Sequence, residues 1–271
     1  MTLPPRDEVA ARVALTDSVA RDGVALTDPV ATDGVALITG AASGIGAAVA
    51  RRCAARGMRV VIADRNERGG RSVADETGGR FVAVDVGVPE ANNRAVSMVM
   101  RELGRLDVAV LNAGIPGRCT LTDFTPDRYR QTMRTNLDGV VYGVHAVMAP
   151  MRRQGGGSIV VMASMAGLTG SPDLFYATAK HAVLGLVRSA ATPLASAGIR
   201  INALCPGFVD TPILAPVRQD LLGRGFPLAH PDEAATAVEE ILAAGKTGQA
   251  WLLQAGEPAY PIEPPEIPLR T

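Results

Sequence analysis

Tyr176 and Lys180 close the run Tyr176-Ala177-Thr178-Ala179-Lys180. Four residues apart on a helix, they share one face, one turn from each other. A free phenol has a pKa near ~10 and is a poor base at neutral pH. A nearby ammonium stabilises the phenolate and lowers that value, so the pair can take up and return a proton. Far upstream lies a second chemical signal, Thr39-Gly40-Ala41-Ala42-Ser43-Gly44-Ile45-Gly46. Gly40 allows a tight bend. Gly44 and Gly46 let the backbone and a helix start come close to a pyrophosphate, whose charge sits on free helix N–H groups. Asp64 follows about 20 positions later, where an acidic side chain accepts bonds from ribose hydroxyls and repels a 2′-phosphate. Arg65 pulls the other way, since an arginine can welcome that phosphate. Residue 43 is a serine and not a base, so NAD is favoured over NADP.

These groups need elements that place them. From Val35 onward, short β-branched apolar runs alternate with longer segments of helical period. The runs are 35–39, 59–63, 80–84, 107–112, 158–163, 199–205 and 249–253. The helical segments are 44–56, 67–77, 89–103, 126–152, 174–197 and 231–244. Pro193, inside the fifth of these, predicts a kink or an early end. Strands apolar on both faces, each followed by a helix, predict an α/β fold. We expect a single-domain, Rossmann-like, doubly wound sheet of about seven parallel strands with helices on both faces, over 34–254. The glycine turn then lies between the first strand and the first helix, as a dinucleotide site requires.

With these pieces on one chain, the sequence resembles the short-chain dehydrogenase/reductase family over about 35–254. The matching motifs, in order, are Thr39–Gly46, Asp85-Val86, Asn112-Ala113-Gly114, Asn136, Ser164, Tyr176 with Lys180, and Pro206-Gly207 with Thr211. The resemblance implies an oxidoreductase that interconverts a secondary alcohol and a ketone. Tyr176 would be the acid/base, and Lys180 would also hold the nicotinamide ribose. Ser164 would hydrogen-bond the substrate oxygen, and Asn136 would hold a water linking Lys180 to solvent. For the coenzyme it implies Gly40, Ser43, Gly44, Ile45, Gly46, Asp64 and Arg65 at the adenosine and pyrophosphate end. Asp85 and Val86 would flank the adenine, with Asn112, Ala113 and Gly114 in the middle. Pro206, Gly207, Val209 and Thr211 would meet the nicotinamide. Ser164 lies twelve positions before Tyr176, about one fewer than is common in the family, so the loop 168–175 looks trimmed. Residues expected around the reacting carbon are Ile115, Met165, Phe175, Phe208, Ile213 and Leu214. That apolar set suggests a lipophilic substrate, with 212–227 as a lid. A homodimer or homotetramer is a further expectation from the resemblance. Competing readings are an epimerase or dehydratase on the same fold, and a non-catalytic NAD sensor.

Composition narrows the classes further. The 271 residues are 47% hydrophobic, and 27 basic side chains balance 27 acidic ones. Neutral charge gives no electrostatic case for nucleic acid or an anionic membrane. No apolar stretch reaches the ~20 residues that span a bilayer. Cys53, Cys119 and Cys205 lack paired spacing and read as buried reduced thiols in a cytoplasmic setting, with no metal site. His145 and His181 lack ligand spacing and read as structural. At the N-terminus, Val13–Gly23 and Val24–Gly34 match at nine of eleven positions. Only the third Val-Ala-Leu, at 35–37, leads into the glycine turn. Residues 1–33 are therefore expected to be a mobile extension. The segment 255–271 holds five prolines and is expected to be an unpacked tail.

Overall fold

A computed structural model describes residues 33–117 and 119–263. The N-terminal duplication before Asp33 and the tail beyond Glu263 lie outside the described residues.

Seven parallel strands form the sheet: β1 (Val35–Thr39), β2 (Arg59–Asp64), β3 (Arg80–Ala83), β4 (Val108–Leu111), β5 (Gly157–Met162), β6 (Ile199–Pro206) and β7 (Ala250–Leu253). Their order is β3-β2-β1-β4-β5-β6-β7, and an eighth strand, β8 (Tyr260–Ile262), adds antiparallel to β7. β8 corrects the expectation of an unpacked tail from 255 onward. An outer strand needs ladder bonds on one side only, so Pro261, which has no N–H, is tolerated opposite Trp251.

Helices cover both faces. α1 (Gly44–Ala55), α2 (Glu67–Thr77) and α8 (Pro231–Ala243) pack on one. α3 (Pro89–Leu103), α5 (Gly139–Arg153) and α6 (Leu174–Ala195) pack on the other. Two shorter helices, α4 (Pro126–Met133) and α7 (Arg218–Gly223), complete the set. Strand alternation divides the core. Val35 and Leu37 join Val61, Ile159, Val183 and Ile201 on one side. Ala36 and Ile38 join Val49, Ile62, Val110 and Ile241 on the other. Helix starts are marked by side chains: Thr125 Oγ1 accepts from the Arg128 N–H ahead of Pro126, and His230 and Glu233 form a reciprocal cap on α8.

The single helix expected over 126–152 is three pieces: α4, a π-helical turn at Arg134–Asp138, and α5. Pro193 is followed by only two more helical residues, in line with the early end expected there. The chain reverses its direction across the sheet between β1 and β4, so a crevice opens at the carboxyl ends of those strands.

Candidate active site

The glycine turn leaves β1 at this crevice and enters α1. Gly40 and Gly44 take left-handed φ values of 64° and 55°. Gly46 meets the turn itself: a Cβ there would stand 2.5 Å from Gly40 O and 2.6 Å from Asn112 Nδ2. Its missing side chain thus makes room for neighbouring chain, which sharpens the expectation that it serves only close approach to a pyrophosphate. Asn112 straps the turn to β4, with Nδ2 donating to Thr39 O and Gly40 O, both at 3.0 Å. Thr39 Oγ1 accepts from the Asn112 and Ala113 N–H groups at 3.0 and 3.2 Å. Ser43 is exposed, Gly44 and Ile45 are half-buried, and Gly44 faces the Thr211 methyl.

Asp64 ends β2 beside this turn. Its Oδ2 accepts from Ala42 N at 2.9 Å and its Oδ1 from Asn66 N at 2.8 Å. Each oxygen keeps further acceptor capacity for a ribose hydroxyl. Arg65 points into solvent. Asp85 is exposed and pairs with Arg134 at 2.5 Å, while Val86 is buried against Gly139. The cradle fits a dinucleotide: a strand-to-helix glycine turn, an N-terminal helix end without an acidic first turn, and a carboxylate at the β2 end.

The proton-transfer candidates gather nearby. Ser164 lies two residues past β5 and caps a short 3-10 turn at Met165–Gly167, its Oγ accepting from Ala166 N at 3.1 Å. Lys180 is only 2% exposed, and its Nζ donates to Met162 O at 2.7 Å. The same Nζ lies 5.4 Å from the centre of the Tyr176 ring. Burial pushes the Lys180 ammonium down to about 8. Burial also pushes the Tyr176 phenol up to about 12, against a hydrogen bond with Ser164 that pulls it down. This corrects the expectation of a lowered tyrosine. In the chain alone, lost hydration dominates the phenol, and the Lys180 ammonium spends its short bond on a carbonyl. Asn136 is wholly buried in the π-helical turn. Its side chain grips Ile115, accepting from its N–H at 3.1 Å and donating to its carbonyl at 3.0 Å. It also donates to Thr132 O at 3.0 Å.

Of the residues expected around the reacting carbon, Ile115 is buried, and Met165, Phe208, Ile213 and Leu214 are half-buried. Phe175 instead sets its ring against Tyr129 and Phe124, with centroids 5.1 and 5.7 Å away. Pro206 ends β6, and the Gly207 N–H donates to Leu253 O at 2.8 Å. Val209 is buried and bridges to Ala229, and Thr211 Oγ1 donates to Val209 O at 3.2 Å. The segment expected as a lid carries α7, held to Asp210 by a two-pronged pair with Arg218 at 2.8 Å on each arm. His145 and His181 are exposed, and His181 Nδ1 lies 2.9 Å from Ala177 O. All three cysteines are free and buried. Among the described residues no group of three or more His, Cys, Asp and Glu side chains gathers to hold a metal, and no helix is long and apolar enough to cross a membrane.

Sequence reasoning missed Asp173, whose carboxylate caps α6 and reaches across to Gly117. Its only local signal was an acidic cap three residues before Tyr176.

Comparison with known proteins identifies the family. Residues 34–222 match the family described as short chain dehydrogenase. Cyclohexanol dehydrogenase of Acinetobacter sp. (strain SE19) is 37% identical over 215 residues, which is 76% of this chain and 86% of that protein. A 3-alpha-(or 20-beta)-hydroxysteroid dehydrogenase of Mycobacterium tuberculosis (strain ATCC 25618 / H37Rv) is 36% identical over 208 residues, 74% of this chain and 79% of that protein. Among solved structures, levodione reductase superposes with a TM-score of 0.77 at 31% identity, covering 83% of this chain and 97% of that one. The fold, the nucleotide crevice and these relatives lead to one conclusion: the chain belongs to the short chain dehydrogenases and is a nicotinamide-dependent oxidoreductase that interconverts secondary alcohols and ketones.

Proposed function

We propose that this enzyme works on lipophilic secondary alcohols and their ketones with NAD, and that Tyr176 moves the proton. The observation that carries the reading is a buried Lys180, one turn from Tyr176, whose Nζ lies 5.4 Å from the centre of the phenol ring. A bound nicotinamide would supply the hydride acceptor or donor. Gly40, Ser43, Gly44, Ile45 and Gly46 would hold the pyrophosphate end, Asp64 the adenosine ribose, and Asp85 with Val86 the adenine. Asn112, Ala113 and Gly114 would line the middle. Pro206, Gly207, Val209 and Thr211 would take the nicotinamide end, and Lys180 its ribose. Asp64 supports NAD, because its carboxylate stands where a 2′-phosphate would meet negative charge.

In ketone reduction the Tyr176 hydroxyl gives its proton to the substrate oxygen, while Ser164 Oγ donates a hydrogen bond that steadies the developing charge. A phenol at about 12 needs no prior ionisation for this step. Alcohol oxidation needs the phenolate, so its rate should climb with pH. Half-buried Met165, Phe208, Ile213 and Leu214 support an apolar substrate. The similarity to a cyclohexanol dehydrogenase points the same way. Assays of the purified chain with NAD and NADP against cyclic secondary alcohols and small polyols test this. We expect turnover of the cyclic alcohols with NAD preferred. Turnover confined to charged polyols, or a preference for NADP, would overturn the reading.

We propose also a homodimer or homotetramer. Apolar side chains on and beside the α4–α6 layer support it: Leu121 is 75% exposed, Phe124 46% and Val141 39%. Light scattering showing a monomer at assay concentration would refute it.

A further inference from the structure

We propose that Asp173 is a positioning residue, whose carboxylate clasps the loop after Asn112-Ala113-Gly114 to the helix bearing Tyr176 and Lys180. The clasp would hold the two walls of the cleft at one fixed spacing. The inference rests on the reading of Tyr176 as the acid/base.

Asp173 has two amide donors, one for each oxygen. Oδ2 accepts from Gly117 N at 2.7 Å, across 56 residues of sequence. Oδ1 accepts from Tyr176 N at 3.4 Å, as the cap of α6. Ser171 Oγ accepts from Asp173 N at 3.2 Å and steadies the cap residue. The Gly117 contact is close enough to exclude a side chain, since a Cβ there would stand within van der Waals contact of the carboxylate oxygens. Two residues earlier the same loop is gripped at Ile115 by the buried Asn136. The loop between β4 and α4 is therefore held from two sides, once through the π-helical turn and once through Asp173. The Asp173 grip ends on the residue whose N–H begins the catalytic turn of α6.

An ordinary helix cap needs only one acceptor. The clasp needs two. Asparagine keeps the shape and one acceptor, but its NH₂ would face the second N–H donor. Serine caps helices well and is too short to serve both donors. Asp173→Asn and Asp173→Ser therefore separate the two roles. With a clasp, both variants lower kcat about tenfold or more through misplacement of the reacting groups. Urea midpoints and NADH affinity should stay close to those of the unaltered enzyme. A cap alone leaves kcat near its starting value in both.

A pH profile gives a second readout. Among the described residues, the charged and titratable groups that face Tyr176 are Asp173 at its own cap, Lys180 one turn on, and Cys205 from β6. Asp173 raises the phenol, so its neutralisation should move the alkaline rise of alcohol oxidation to lower pH.

Gly117→Ala tests the same contact from the loop side. It should lower kcat in the unaltered enzyme and add little on the Asp173→Asn background. If Asp173→Asn does not fold, the Gly117→Ala and Asp173→Ser enzymes still decide the matter. Unaltered kcat with an unshifted pH profile, or equal Gly117→Ala losses on both backgrounds, would overturn the clasp. Tyr176→Phe keeps the failures apart. An active Tyr176→Phe enzyme refutes the acid/base reading, whereas an inactive one beside a fully active Asp173→Asn enzyme refutes the clasp alone.

Discussion

Lys180 should make the protein's stability depend on alkaline pH in a way that a single substitution can isolate. Its ammonium falls from the ordinary 10.5 to about 8 because burial strips its hydration. Between those values the unfolded chain binds a proton at this side chain and the folded chain does not. Stability contributed by this group therefore rises with pH across that window, and below it the full penalty of the buried charge is present. At about 1.4 kcal/mol per pH unit, the rise amounts to roughly 3 kcal/mol. Tyr176, Cys53 and Cys205 are all pushed up to about 12 and give the opposite slope as the unfolded groups ionise. Tyr176 and Cys53 are common to the unaltered enzyme and Lys180→Met, but the Cys205 thiol is coupled to the Lys180 ammonium, so both proteins carry Cys205→Ala and the difference between the two isolates Lys180. Urea unfolding of both proteins across the window should show the protein with Lys180 gaining on the one with Lys180→Met as pH rises. The chain has only two lysines, Lys180 and Lys246, so labelled lysine side chains give two resonances, and Lys180→Met assigns them. A flat stability difference together with a Lys180 resonance that titrates above about 10 would refute the reasoning.

Three further substitutions test two glycine positions and the coenzyme crevice. Gly46→Ala puts a Cβ 2.5 Å from Gly40 O, a backbone atom that cannot swing away. It should cost about 1–3 kcal/mol in urea unfolding. Gly185→Ala, on an exposed stretch of α6 with open space around it, should instead stabilise by about 0.5–1 kcal/mol. Asp64→Asn removes the charge at the β2 end, and the ratio of kcat/KM for NAD over NADP should fall about tenfold or more. An unchanged ratio would move coenzyme selection away from Asp64.

The repeated strand–helix units were readable from the sequence because each carries its own boundary signals. Helices α2 and α3 match their expected spans, and α1 ends one residue before its expected end. Period, glycine stops and proline starts are local, and they decide such elements. The missed features depend on contacts made at a distance. The π-helical turn at 134–138 keeps an unbroken helical period in sequence, so nothing local marks the place where Asn136 turns inward. β8 exists because β7 offers an unpaired side, which composition rich in proline conceals. The Asp173–Gly117 contact joins two loops 56 residues apart. Likewise, the residue types at 176 and 180 suggested a lowered phenol. The depth at which the fold buries them reverses that direction.

Tyr176 is the group proposed to move the proton. Tyr176→Phe removes one oxygen and leaves the ring in place. With NAD and a cyclic secondary alcohol, absorbance of the reduced nicotinamide reports turnover. NADH titration on the same protein reports binding. The account predicts that turnover falls by about 10²–10⁴-fold, the range general acid–base catalysis supplies, with NADH affinity nearly unchanged. Turnover at the level of the unaltered enzyme would contradict it.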